Sequence, residues 1–506
     1  MAETTSDNKE SFNLWNNCAA VYNDFICGKL FNTTNREEHG EGLEMKIVSF
    51  TMVNNESEII ESFVRYNYNF VDEMVIIDNG CTDSTIKIVR KLIAEGFNIT
   101  IYDESLEAYN QYRLDNKYLN KIIDEIKPDM ILPLDADEFL TGENNPREIL
   151  EKLPLNSIYY VTWRWYVMTK EDKQKEAFIP KKMQYCLTRP AWNYSDGTPV
   201  TKSIIPAKYY KKMGLTLSMG HHTVFGNDKA KITRLNSLQF AHYRAISEQQ
   251  LIYKTCCYTM RDIATMENNF ETAQRTNQMA IIERGSSMWE AAEESSYGGY
   301  TCEIEKRPLE LEFCTKCDLE MKYVELSSES VEKRILYTGR EMAVRAYNSE
   351  RRKKEKKFLE PIVLWLDGIR GEECIFPDPS NKLTILTEMY NVRGLVTLTE
   401  EIKFLKANYR LIVTPDFVKF IPHEYIVIAD QKNYEEIKKQ LVSEGLSKEQ
   451  IISLSEYKKH LGILKRAYCA LCFIPSMTGR VNQYLRRNGL MTTVNKVRQR
   501  LKNNRG

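Results

Sequence analysis

The sequence lacks any apolar run long enough to cross a membrane: its longest, such as residues 467–474, fall far short of the ~20 residues a span requires. It also lacks an excess of charge, with 70 Lys plus Arg against 70 Asp plus Glu, and this balance argues against nucleic-acid binding through overall charge. No export signal is visible, because residues 1–10 are polar and acidic and no apolar segment follows them, so a cytoplasmic protein is expected. Twelve cysteines in 506 residues do not form a disulfide framework, and reduced thiols are expected. The two Cys-x-x-Cys pairs, Cys314/Cys317 and Cys469/Cys472, lie about 150 residues apart, too far to suggest a shared zinc site, and read as structural or incidental. A full dinucleotide fingerprint is missing as well, since Gly368 and Gly371 supply only part of one.

What the chain does have is material for two or three domains, with 42% hydrophobic and 11% aromatic residues. Residues 1–44 read as an N-terminal extension. From residue 45 an alternation of strands and helices begins. Strand patterns at 46–53, 74–78, 99–102 and 130–134 are separated by helical spacing, as in Ile59, Ile60, Phe63 and Val64, or Leu114, Tyr118, Leu119, Ile122, Ile123 and Ile126. Asp83 or Ser84 is placed to cap the second helix, and Gly96 to end it. This succession predicts an α/β domain built on a mostly parallel sheet with helices on both faces, spanning residues 45–285.

The most informative stretch is Leu134-Asp135-Ala136-Asp137-Glu138-Phe139-Leu140, where a buried strand ends in three carboxylates. Residues two apart in an extended chain point the same way, so Asp135 and Asp137 are placed to converge on one cation, and oxygen ligands of this kind suit Mn²⁺ or Mg²⁺. A lone Asp-x-Asp is more often just the start of a polar loop, so the surroundings decide. Here, however, Asn54, Asn55, Glu56, Asp78 and Asp83 also lie at carboxyl ends of strands, where parallel sheets bind their ligands.

Val53-Asn54-Asn55-Glu56, Ile77-Asp78-Asn79-Gly80-Cys81-Thr82-Asp83-Ser84-Thr85 and the Asp135 motif, in that order and spacing, resemble the family 2 glycosyltransferases of GT-A fold. The likeness is to their branch with an Asp-Asn-Gly-Ser/Cys-Thr-Asp turn and an Asp-x-Asp-Glu-Phe motif. It implies that the first two turns, through Asn55, Glu56, Asp78 and Asp83, hold the base and ribose of a nucleotide sugar, a UDP-sugar first among them. It implies also that Asp135 and Asp137 carry a metal bridging the diphosphate. Asn54 stands where this branch usually has Arg, and the carboxylate pair that serves many family 2 enzymes as base has no clean counterpart.

Three of the six histidines fall within 22 residues, in Gly220-His221-His222-Thr223 and Ala241-His242-Tyr243-Arg244. Related sequences carry similar stretches, followed by residues matching Ser247, Glu248, Gln249 and Lys254. A late histidine often joins the metal in GT-A enzymes, which makes His242 the first candidate ligand and His222 the second. If His221 and His222 lie on a strand, they point to opposite faces. Trp192 and Tyr194 are candidates to stack on an acceptor sugar, and Asp196 is the candidate base, with Glu138 behind it. Arg244 and Lys254 are candidates to balance the leaving diphosphate.

Residues 286–358 read as a charged helical connector, and residues 359–506 as a smaller Rossmann-like α/β domain with strands near 362–366, 411–414, 425–429 and 451–454. The basic tail from Arg480 to Arg505 suits contact with an anionic membrane surface. The expected activity is metal-dependent, inverting transfer of a sugar from a nucleotide donor to a glycan or lipid-linked acceptor. Two alternatives compete with it: a haloacid-dehalogenase-type phosphatase, which also uses Asp-x-Asp after a strand but normally after the first, and an inactive sugar-binding scaffold.

Overall fold

The structure is a computed structural model, and it describes residues 45–107, 109–194, 197–265, 278–285, 303–352, 358–365, 386–387, 389–398, 406–407, 410–429 and 433–469. The chain divides into two compact units, one comprising residues up to 103 with 109–332, the other 104–108 with 333 onward. Among the described residues, no helix is long and apolar enough to cross a membrane.

The first unit is an α/β sheet of eight strands: β1 (Ile47–Val53), β2 (Glu73–Asp78), β3 (Ile99–Asp103), β4 (Met130–Pro133), β5 (Glu138–Thr141), β6 (Ile158–Trp165), β7 (Thr201–Pro206) and β8 (Ile232–His242). Their spatial order is β3-β2-β1-β4-β7-β6-β8-β5. The β3-β2-β1-β4 half is wholly parallel, as the strand-helix alternation predicts. In the other half only β6 and β8 run parallel, while β7 is antiparallel to both β4 and β6, and β5 to β8.

Alternation along each strand sends side chains into two cores. Met74 and Ile76 of β2 face a cluster with Phe63 and Val64 of α1 (Ile60–Asn67) and Ile88, Val89 and Leu92 of α2 (Thr85–Ala94). Val75 and Ile77 face the other, with Tyr118, Leu119 and Ile122 of α3 (Gln111–Glu125) and Tyr210 of α4 (Ala207–Met213). Helices therefore cover both faces. The cap of α2 is Asp83, whose Oδ1 accepts from the Thr85 amide at 2.9 Å, while the Ser84 side chain makes no cap bond.

Residues 303–328 belong to this unit as an extended strap, where the sequence reading has a helical connector. Ile304–Lys306 pairs antiparallel with Tyr185–Leu187. Glu310 accepts from Arg164 Nη1 at 2.8 Å and from the Thr141 hydroxyl at 2.6 Å. Farther along, Glu61 of α1 accepts from the amides of Lys322 and Tyr323, each at 2.9 Å. Charged side chains thus serve in part to bind the strap. The Cys317 thiol donates to the Arg65 carbonyl at 3.0 Å, a structural use; Cys472 lies outside the described residues.

The second unit contains helix α5 (Val331–Arg352) from Lys333 onward and, among the described residues, a six-stranded sheet. Ile362–Trp365, Arg410–Val413, Tyr425–Ile428 and Ile451–Ser453 fall where the sequence predicts strands. Val392–Val396 and the short Lys406–Ala407 add two, of which only the last pairs antiparallel. Helix Tyr434–Ser443 ends at Gly445, whose φ of +94° is the left-handed geometry that glycine supplies at a helix end. Gly368, Gly371 and the basic tail lie outside the described residues, as does the extension 1–44.

Candidate functional site

The carboxyl ends of β1, β2 and β4 meet where the sheet passes from parallel to antiparallel, and the three sequence motifs come together there. The first two turns lock each other. Asn55, at φ +61°, is 1% exposed, and its Oδ1 accepts from the amides of Thr82 and Asp83 at 2.6 and 3.0 Å. Its Nδ2 donates to the Tyr253 hydroxyl at 2.6 Å. Asp78 Oδ1 accepts from the Gly80 and Cys81 amides, at 3.0 and 2.7 Å, and Asp83 Oδ2 from Ser57 N at 3.0 Å. Asn55, Asp78 and Asp83, expected from the sequence to bind a donor, therefore also shape the turns. Asn54, in the position where Arg is usual, accepts from Arg261 Nη2 at 2.7 Å, so a guanidinium reaches this turn from a distant helix.

The Asp135 motif occupies the link between β4 and β5. Antiparallel register pairs Met130 with Pro206 and Ile131 with Ile205, and continuing it brings Lys202 beside the end of β4. Its ammonium, 1% exposed, lies 2.6 Å from Asp135 Oδ2 and 2.8 Å from Glu138 Oε1. Burial opposes ionisation of Asp135, but Lys202 and His221 outweigh it and hold its pKa below the ordinary carboxylate range. Lys202 is likewise held above its usual range by the two carboxylates despite its burial. Glu138 is 0% exposed; it also accepts from Trp163 Nε1 at 2.8 Å, and Oε2 accepts from the Asp135 amide at 3.1 Å. Glu138, the second candidate base of the sequence, is thus enclosed by Lys202, Trp163 and the Asp135 amide and anchors the motif.

Asp137 has a different environment. Strand β8 pairs His242 with Glu138 on one side and Trp165 on the other, and Tyr243 N donates to the Asp137 carbonyl at 2.9 Å. His242 Nε2 is thereby held 3.5 Å from Asp137 Oδ1. The ring stacks on Trp163 at 5.0 Å and meets the Trp165 edge at 4.6 Å, while its buried Nδ1 has no hydrogen-bond partner among the described residues. Lys254 Nζ lies 3.7 Å from Asp137 Oδ2 and 3.5 Å from Glu56 Oε1. Burial raises the pKa of Asp137, and His242 and Lys254 more than offset that, so it stays ionised.

His221 and His222 do not sit on a strand. Met219–His221 is a 3-10 turn with Gly220 at φ +70° and His221 at φ +60°, so the opposite-face expectation does not apply. His221 Nε2 bonds Asp115 Oδ2 at 2.8 Å and its Nδ1 lies 3.8 Å from Asp135 Oδ1. His222 Nδ1 donates to the Thr201 carbonyl at 3.0 Å, and burial with the nearby Lys202 charge pushes its pKa down to about 3, leaving a neutral ring. It packs edge-on to Trp163 at 5.3 Å. Of the expected acceptor side, Trp192 sits 5.1 Å from Trp165 with the Arg244 guanidinium 4.9 Å over its ring. Tyr194 N donates to the Thr198 carbonyl at 2.7 Å, closing a turn, and Asp196 lies outside the described residues.

Among the described residues no three His, Cys, Asp or Glu side chains converge closely enough to hold a metal by themselves. Asp137 with His242 is the pair whose chemistry fits Mn²⁺ or Mg²⁺, ions that take one or two protein ligands and fill the remainder with water and phosphate. The unpartnered Nδ1 leaves the opposite nitrogen as the one turned to the carboxylate. Lys202, Trp163, Gln111, whose Nε2 donates to Asp135 at 3.2 Å, and Asp115 are site residues the sequence reading misses.

A family model described as C2185-like, N-terminal, matches residues 379–452, within the second unit. No curated protein matches the chain. Among solved structures, the chain is similar to glucosyl-3-phosphoglycerate synthase from Mycobacterium tuberculosis in complex with Mn²⁺, UDP-glucose and phosphoglyceric acid, at 19% identity and TM-score 0.18. That alignment covers 24% of this chain and 44% of the synthase, so the chain spans less than half of it. It is similar also to the glycosyltransferase GlyE of Streptococcus pneumoniae TIGR4, at 12% identity and TM-score 0.24 over 84% of this chain and 99% of that one. The bifunctional glycosyltransferase WbbM aligns at 11% identity and TM-score 0.18, over 44% and 35%. At such TM-scores these likenesses carry no weight for function.

Proposed function

We propose that the chain is a nucleotide-sugar-dependent glycosyltransferase of the GT-A type, with a UDP-sugar as donor and a glycan or lipid-linked acceptor. The observation that carries this reading is the Asp137–His242 pair at 3.5 Å, set at the carboxyl end of a parallel sheet beside two interlocked turns. The resemblance of all three motifs supports it. Asp137 and His242 would hold Mn²⁺ or Mg²⁺, and such an ion supplies positive charge to the diphosphate as it leaves. Lys254, between Glu56 and Asp137, adds a fixed cation at the same edge, and the neutral His222 adds none. Arg244, stacked on Trp192, would offer its planar fork to an anionic group of the donor. Asp196 remains the proposed base on sequence grounds, in an inverting displacement. A cytoplasmic location, with the basic tail against an anionic membrane, completes the proposal.

A haloacid-dehalogenase-type phosphatase fits less well: its nucleophilic Asp must reach a phosphorus atom, whereas Asp135 Oδ2 is occupied by Lys202 at 2.6 Å. Release of UDP from UDP-glucose, UDP-galactose and UDP-N-acetylglucosamine by the full chain with MnCl2, against release of phosphate from p-nitrophenyl phosphate, tests the assignment. Metal-dependent UDP release is expected; phosphate release alone would favour the phosphatase, and neither with intact binding would favour the scaffold.

A further inference from the structure

The Lys202 side chain is 1% exposed, and a lysine is almost never buried to that extent unless it is paired. Taking an ammonium out of water costs several kcal/mol in the folded state, so its position between two carboxylates needs a reason. Those carboxylates differ. Glu138 is wholly enclosed, whereas 35% of the Asp135 side chain is open to solvent. Lys202 therefore ties an accessible acid to a buried anchor, and the Trp163 ring, 5.4 Å from its Nζ, covers it from the side. Other groups converge on Asp135: Gln111 Nε2 at 3.2 Å, the His221 ring at 3.8 Å, itself held by Asp115, and Glu138 through the Asp135 amide. His221 adopts a left-handed backbone at φ +60°, a strained conformation for a non-glycine residue, retained only where the surroundings enforce it.

We propose that Lys202 is a positioning residue, whose ammonium fixes Asp135 in one orientation before donor arrives. The inference rests on the glycosyltransferase reading. An ammonium suits this role because it is a compact charge with three donors, two of which reach different carboxylates; a guanidinium presents a planar fork and needs more room.

The test compares wild type with Lys202→Met and with the double variant Lys202→Met/Glu138→Gln, using the full chain. Thermal melting, calorimetric affinity for UDP in MnCl2, and kcat and KM for UDP-glucose are read for each. Lys202→Met alone strands a buried carboxylate and is expected to melt markedly lower. The double variant removes both opposite charges and keeps the shape, so it is expected to melt near wild type yet bind UDP with Mn²⁺ about tenfold or more weakly, because Asp135 is no longer held in its orientation beside the donor site. Wild-type affinity and kcat/KM in the double variant would overturn the proposal and make Lys202 a counter-ion of Glu138 alone. If the double variant does not fold, Lys202→Arg, which keeps the charge, decides: weakened UDP binding in a folded protein supports the role and unchanged binding overturns it. Wild-type protein that binds no UDP in MnCl2 would instead refute the glycosyltransferase reading itself.

Discussion

Asn55 Oδ1 receives the amide protons of both Thr82 and Asp83, so one side chain at the end of β1 dictates the turn after β2. Asn is among the few residues that tolerate its left-handed backbone. Asn55→Ala should therefore cost about 2–4 kcal/mol, from two buried amides left unpaired and from backbone strain. Asn55→Asp keeps the acceptor and should cost less, though it can no longer donate to the Tyr253 hydroxyl. Urea unfolding of the three proteins measures the ranking, and equal stability of Asn55→Ala and wild type would remove the turn-locking role.

The strap gives a second prediction. Glu310→Ala would leave the Arg164 guanidinium, 3% exposed, without its carboxylate partner. Breaking a buried pair from one side costs about 3 kcal/mol. Limited proteolysis should then cut within residues 303–328 faster than in wild type, because the strap loses its tie to β6. An unchanged cleavage rate would mean that the Tyr185–Leu187 pairing and the Glu61 bonds to Lys322 and Tyr323 secure it without Glu310.

A third prediction concerns pH. Burial raises the pKa of Glu95, but hydrogen bonds from Arg65, Tyr323 and Lys322 bring it down to about 2. A depressed carboxylate contributes stability above its unfolded pKa, near 4.5, and that contribution is lost as pH falls toward 2. Glu95→Gln should therefore lower the melting temperature at pH 7 and lose most of this difference by pH 3. A gap that is constant with pH would show that the hydrogen bonds, not the charge, matter.

The parallel half of the sheet is legible in the sequence because its strands are continuous apolar runs punctuated by polar turns, and β1, β2 and β4 deliver Asn55, Asp78 and Asp135 to one edge. The antiparallel half is not. In β7, Thr201-Lys202-Ser203-Ile204-Ile205-Pro206, every residue is buried although three are polar, so no alternation marks it as a strand. Lys202 is hidden for the same reason, since a lone lysine reads as surface. Asp115 and His221 are 106 residues apart, and their pairing depends on how α3 lies over the sheet. The strand register that stacks His242 against Trp163 and Trp165 is equally non-local, although His242 itself stands out through the scarcity of histidine.

Within the site, the two acids of the motif should behave differently. Asp137→Asn should weaken Mn²⁺-supported UDP binding by about tenfold or more with little change in melting temperature. Asp135→Asn leaves Lys202 with one carboxylate in place of two, and should lower the melting temperature as well. Variants that lose binding in the same degree and melt alike would erase the distinction.

The most direct measurement is a calorimetric titration of UDP-glucose into the full chain, once in MnCl2 and once in EDTA, repeated with Asp137→Asn. Binding in wild type is expected to be about tenfold or more tighter with Mn²⁺, a difference of ~1.4 kcal/mol or more, and the variant is expected to show no such gain. Equal affinity of wild type in Mn²⁺ and EDTA would contradict the assignment of Asp137 and His242 to a cation held against a diphosphate.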